Sequence, residues 1–274
     1  MKYSRDDLDE AVGALLQEAC ARFVMPRYGQ LRQNEVAEKS SPADLVTIAD
    51  REAEIFLTPR LRDLIDGAVI GEEACADNPD ILARAAAPVA WTVDPVDGTG
   101  NFVRGNDRFC CMVALLEAGR PMRSWIYVPL QARLYTAMAG HGAIVKEDDG
   151  QRQRLNLTPR DWYTDDMTGS ANILAVAEPR RDIIRARLRN LPGRWFAGSS
   201  GIMGTEIASG RQHFMLHSLC TPWDHAPVDL LCREAGAHAA MIDDDAAFNA
   251  GYARAFMIAP DRQAWLSLRE RVWR

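Results

Sequence analysis

The sequence predicts a mixed α/β protein (α+β) built in layers, and three observations carry that reading. Apolar residues recur at helical spacing near both ends of the chain. A run of extended apolar segments lies between residues 109 and 138, while other short strands stand singly between helices. That mixture excludes a strict strand–helix–strand series. At 274 residues there is room for one large domain or two lobes sharing a core.

The elements follow in order. Leu8, Val12, Leu15, Leu16, Ala19 and Phe23 mark an amphipathic helix over Asp7–Phe23. Residues 39–44 are turn-like and lead into the apolar Leu45–Ile48. A second helix starts near Ala49 or Asp50 and carries Ile55, Phe56 and Leu61, with Pro59 expected to kink or interrupt it. Ala68–Gly71 is a short strand running into Glu72-Glu73, and Pro88–Val93 is the next. Phe109–Glu117, Ser124–Val128 and Arg133–Met138 are strands, with a hairpin turn at Gly119-Arg120-Pro121, and Gly140–Ala143 bounds a further strand. The polar run Lys146–Arg154 reads as an exposed loop or hairpin tip. It places a boundary between an N-terminal α/β lobe, residues 1–150, and a C-terminal one, residues 151–274. In the second lobe Asn172–Ala177, Trp195–Ala197, His213–Leu216 and Ala255–Ala259 read as extended. Arg180–Leu191, Ile202–Ser209, Ala226–Ala235 and Asp261–Trp273 read as helices.

Composition narrows the function classes. Net charge is −6 and no basic tract occurs, which argues against a nucleic-acid polymer as partner. The N-terminus lacks the apolar core of a secretory signal, and no stretch reaches the roughly 20 apolar residues of a membrane span. Six cysteines show no CxxC pair, so they read as reduced core thiols of a cytoplasmic protein. His141 and His225 fit no histidine metal motif, and the scattered tryptophans Trp91, Trp195, Trp223 and Trp265 suit core packing.

Chemistry concentrates in WTVDPVDGTGNF, Trp91–Phe102, where Asp94 and Asp97 end an apolar strand. Alone, Asp-Pro-x-Asp-Gly also describes a capped turn. Yet Asp50, Glu72, Glu73 and Asp224 likewise follow apolar residues at strand ends or helix starts. Carboxylates gathered at one place repel unless a cation compensates, and magnesium takes oxygen ligands of this kind. Gly98 permits a tight turn whose following amides, with the Thr99 hydroxyl, suit a phosphate ester. Metal-assisted attack of water on phosphorus is the chemistry such a site would perform.

Four segments in order, KSSPADLVTIAD (39–50), IGEEA (70–74), WTVDPVDGTGNF (91–102) and PWDHAPVDLLCREAG (222–236), resemble the inositol monophosphatase family. The likeness covers nearly the whole chain. It implies a layered α-β-α-β-α sandwich of the inositol monophosphatase and fructose-1,6-bisphosphatase type, two to three magnesium ions per site, lithium sensitivity and a homodimer. By the same likeness Glu72 would bind the first metal, Asp94 would bridge two, and the Val96 carbonyl would complete the first site. Asp97 and Asp224 would hold the second, with lithium entering there. Thr99, polarised by Asp50, would orient the attacking water. Phosphate and substrate would meet Lys39, Asp97, Gly98, Thr99, Asp224 and the small-residue loop Gly198, Ser199, Ser200. Glu73 is left with a solvated or supporting role.

Departures fall on the substrate side. Where inositol-specific members carry a glutamate, this chain has His217, either a substrate contact or a buried structural histidine. Pro227-Val228 replaces the family's small residues and predicts a changed pocket wall. Asp229 reads as part of a solvated helix face. A small phosphorylated polyol or sugar is the implied substrate, with histidinol phosphate, fructose bisphosphate and 3′-phosphonucleotides as alternatives. A protein that binds metal or phosphate without catalysis is the reading from another class. It should have lost an acid or the threonine, and none is missing.

Overall fold

A computed structural model describes residues 5–38, 45–158, 164–191, 193–194 and 198–274. The turn at 39–44 with Lys39, and the Trp195–Ala197 strand, lie outside the described residues.

Helix α1 (Arg5–Ala19) forms the predicted first helix, and a wider turn carries it on to Val24. Strands β1 (Val36–Glu38) and β2 (Leu45–Thr47) pair antiparallel, and Thr47 caps α2 (Ile48–Leu64). Helix α2 runs through Pro59 without a break. The amide that proline lacks would have met the Ile55 carbonyl, and Ile55 is 73% exposed, on a face where water can take that carbonyl.

A seven-stranded sheet follows in chain order: β3 (Ala68–Gly71), β4 (Ala90–Asp97), β5 (Cys110–Glu117), β6 (Arg120–Val128), β7 (Arg133–Met138), β8 (Gly142–Glu147) and β9 (Arg152–Leu155). Only β3 and β4 run parallel. The short helices α3 (Glu72–Asp77) and α4 (Thr99–Val103) leave the ends of β3 and β4. The polar run read as an exposed loop or hairpin tip holds the tip of the β8–β9 hairpin, and its end belongs to β9, an edge strand whose exposed arginines hide the usual apolar signal.

The five-stranded sheet has the order β11-β10-β12-β14-β13, from β10 (Thr168–Asn172), β11 (Gly193–Arg194), β12 (Phe214–His217), β13 (His238–Met241) and β14 (Phe256–Ala259). The strand expected over Asn172–Ala177 is misplaced: only Asn172 is extended and residues 173–177 turn, while β10 is Thr168–Asn172, small and polar, which gains its strand from pairing with β12. Its helices are α5 (Arg180–Leu188), α6 (Ser200–Ala208), α7 (Pro222–Glu234) and α8 (Arg262–Leu268).

Side-chain alternation sorts these elements into five layers. On β5, Cys111, Val113 and Leu115 face α1 and α2, while Cys110, Met112 and Ala114 face α6 and α7. On β12 and β14, Met215, Phe256 and Ile258 join that same central core, while Phe214, Leu216 and Met257 pack under α5 and α8. The order is helices, seven-stranded sheet, α6 and α7, five-stranded sheet, helices, as the resemblance implied. The pair α6–α7 is the shared middle layer and approaches closely at Gly204. A Cβ there would lie 2.6 Å from Val228 Cγ1.

Candidate active site

The ends of parallel strands position the site, as is usual in α/β sheets. Glu72 opens α3 directly after β3, and Asp94 and Asp97 close the neighbouring strand β4. Across the middle layer, β10 and β12 bring Asn172 and His217 to the same cavity, and α7 adds Asp224 in its first turn, where the helix dipole favours an acid. The cavity measures about 590 Å³.

Oxygen atoms of Asp94, Asp97 and Asp224 lie within 4.8 Å of one another. Burial first, then the charges of Glu72, Asp97 and Asp224, push Asp94 well above the usual carboxylate range. Asp97 is pushed up to about 7 by burial and by Asp224, against the pull of three donors. Those donors are the Ser199 hydroxyl and the amides of Ser200 (3.1 Å) and Gly201 (2.7 Å). The small-residue loop read as a phosphate cradle thus spends these donors on Asp97. Gly198, Ser199 and Ser200 still line the cavity. An oxygen-only set of crowded acids, Asp94 and Asp97 buried and Asp224 half-buried, fits a hard divalent cation.

The turn after the acids is set by Gly98, at φ +91°, where a Cβ would also meet the Arg108 carbonyl at 2.8 Å. Thr99 follows, and its hydroxyl proton lies between Asp50 Oδ1 (3.1 Å) and the Val96 carbonyl (3.0 Å). Asp50 is locked in turn by the Thr47 amide at 2.9 Å. The Thr99 oxygen keeps a lone pair for a further donor.

Three expectations are corrected here. Glu73 is buried at 4% exposure, which removes the solvated half of its reading and leaves the supporting one. Asp229 is wholly buried and accepts from Arg233 one turn later at 2.9 and 3.0 Å, because α7 is the middle layer and has little solvated face. Pro227 and Val228 do not line the cavity: Val228 points into α6 at Gly204, so the glycine missing from one helix is supplied by the other. Helix α7 also starts four residues earlier than its apolar run, with Pro222 in its first turn, which is why Asp224 is helical.

The sequence reading missed Glu54. Buried at 5% exposure, it accepts from the amides of Glu73 (2.9 Å) and Ala74 (2.8 Å) and so clamps the start of the helix that presents Glu72. Its signal was present as the Asp50/Glu54 spacing of four, which sets both acids on one face of α2. His225 was noted only as a neighbour of Asp224. It is buried, and its Nε2 lies 2.8 Å from His217 Nδ1.

A profile of the inositol monophosphatase family matches residues 5–264. The chain is 28% identical over 235 residues to an inositol-1-monophosphatase of Bacillus subtilis, covering 84% of this chain and 83% of that one. It is 33% identical over 198 residues to a 3′(2′),5′-bisphosphate nucleotidase CysQ of Aggregatibacter actinomycetemcomitans, covering 70% of each. Its fold is that of a staphylococcal inositol monophosphatase-1, solved as a lithium chloride-soaked inhibitory complex, with TM-score 0.81 and 19% identity over 98% of this chain and 96% of that one. Four acids at two strand ends and a helix start, a threonine braced by a fifth, and a family match over almost the whole length lead to one assignment: the chain belongs to the inositol monophosphatase family of metal-dependent phosphomonoesterases.

Proposed function

We propose that this cavity hydrolyses a small polyol or sugar phosphate with magnesium as its cofactor. The observation that carries the reading is the meeting of Asp94, Asp97 and Asp224 beside the Asp50–Thr99 pair. Glu72, Asp94, the Val96 carbonyl, Asp97 and Asp224 would hold two to three ions. Magnesium there would neutralise the crowded acids and supply the Lewis acidity that phosphoryl transfer to water needs.

The chain's own groups do the rest. Asp50 holds the Thr99 hydroxyl proton, which turns the Thr99 oxygen into an acceptor for the attacking water. The turn at Gly98 and Thr99 receives the phosphate, and Lys39 is proposed to close over it. Ser199 and the amides of Ser200 and Gly201 hold the Asp97 carboxylate in one orientation. We propose a homodimer in the cytoplasm, with no nucleic-acid polymer as partner. Among the described residues no helix is long and apolar enough to cross a membrane.

The likeness to a bisphosphate nucleotidase keeps a 3′-phosphonucleotide as second substrate reading. Phosphate release from inositol 1-phosphate, histidinol phosphate, fructose 1,6-bisphosphate, glycerol 2-phosphate and adenosine 3′,5′-bisphosphate, with and without magnesium, tests both. Magnesium-dependent turnover is expected, with lithium inhibiting at millimolar concentration. No release from any ester by folded, magnesium-loaded protein would sink the phosphatase reading.

A further inference from the structure

The wall built from β10 and β12 offers N–H and O–H donors, which a hydroxyl can meet and an anionic oxygen meets more strongly. The Thr221 amide, an obligatory donor, reaches His225 Nδ1 at 3.1 Å. The neutral His225 ring therefore carries its proton on Nε2, which lies 2.8 Å from His217 Nδ1. His217 must accept there, which leaves its own proton on Nε2, the ring nitrogen not engaged by His225, and His217 lines the cavity. The Thr221 carbonyl also lies 3.1 Å from His225 Nδ1, but it already accepts the His225 amide. A proton on Nδ1 would leave the Thr221 amide without its acceptor.

Both rings are buried and meet edge-on, with centres 4.9 Å apart. Phe256 closes the other side of His225 edge-on, with ring centres 5.7 Å apart.

The neighbours of His217 have the same polarity. Asn172 Oδ1 accepts the Leu174 amide at 3.2 Å, which leaves its NH₂ to donate. Ser218 Oγ accepts the Ala175 amide at 3.1 Å, which leaves its O–H to donate. Described carboxylates on the cavity lining, Glu72, Asp97 and Asp224, all belong to the acidic cluster; none comes from β10 or β12. Arg104 adds an exposed cation to the same lining.

We propose that His217 Nε2–H is a specificity-determining donor, selecting a leaving alcohol that carries an acceptor-only oxygen, of a carboxylate or a second phosphate, beside the ester. A carboxylate at this position would accept from two vicinal hydroxyls; a ring N–H donates instead and gains most from a charged acceptor. The inference rests on the phosphomonoesterase reading above.

The experiment compares kcat/KM for 3-phosphoglycerate and glycerol 3-phosphate, which differ by a carboxylate in place of a hydroxymethyl group, with fructose 1,6-bisphosphate against fructose 6-phosphate as the second-phosphate arm. About a tenfold preference for the anionic member of at least one pair is expected in the wild type. His217→Glu should reverse it. His217→Gln should keep it, since Gln Oε1 can accept from His225 while its NH₂ faces the cavity. Ring ¹⁵N shifts report the tautomers separately from activity, with Nε2 protonated in both histidines. A proton on His217 Nδ1, no preference in either pair, or a ratio unmoved in folded His217→Glu would overturn the proposal. Absence of turnover breaks only the phosphatase reading. Calorimetric affinities of the same esters with magnesium then decide, and equal binding within both pairs overturns the donor assignment.

Discussion

The acidic wall and the donor wall face one cavity but are built on opposite terms. Asp94, Asp97 and Asp224 are held apart in sequence and forced together in space, where burial and mutual repulsion make the metal-free arrangement costly. Asn172, His217 and Ser218 carry no net charge, and each has its acceptor committed to a neighbour. The first wall is completed by a cation that the chain does not contain. The second is complete in itself. One wall can therefore keep its residues through wide changes of substrate while the other sets which substrate fits.

Breaking the acidic wall should give the largest effect. Asp94→Asn is expected to reduce kcat on the order of 10³-fold while leaving the fold intact, checked by steady-state kinetics and circular dichroism. Next comes the support behind it. Glu54→Gln can satisfy only one of the two amides that Glu54 holds, so the magnesium requirement should rise about tenfold with little change in the substrate ratios set by the other wall. An unaltered magnesium titration would show that Glu54 does not position Glu72.

The comparison sharpens in the metal-free protein. Asp97 titrates higher folded, at about 7, than unfolded, near 3.8, so the folded state binds more protons between those values. Stability should therefore fall as pH rises through that window, on the order of 4 kcal/mol for a shift of this size. Saturating magnesium should flatten the slope, and denaturant unfolding at several pH values with and without the ion measures it. A slope unchanged by magnesium would place the ion elsewhere. The smallest effect belongs to neither wall. Gly204→Ala crowds Val228 and should cost about 1 kcal/mol net, with kcat unchanged, because overpacking outweighs the gain in helix propensity. Adding Val228→Gly should recover part of the packing loss. A change in substrate ratio instead would return Val228 to the cavity.

Much of this was legible in residue order. The two strand-end acids, the glycine turn and the strands of the large sheet follow from local pattern, because apolar alternation and turn chemistry act over a few residues. Edge strand β9 and the polar strand β10 were not legible, since their pairing partners supply what their own side chains do not. Asp229 and Val228 were misread for a related reason. A helix in the middle layer of five has little solvent side, and nothing in PVDLLCRE says which layer it will occupy.

The sequence by itself offered the candidate atoms for a metal and a phosphate, Asp94 to Thr99 through residue type at short spacing and Asp50, Glu72 and Asp224 through the resemblance. Only the tertiary structure decided that Glu54 clamps the Glu72 helix, that the serine loop turns onto Asp97, and that His225 fixes the proton of His217. Each of those contacts joins residues brought together by packing of separate elements, and hydrogen-bond direction is settled only when both partners and their neighbours are in place.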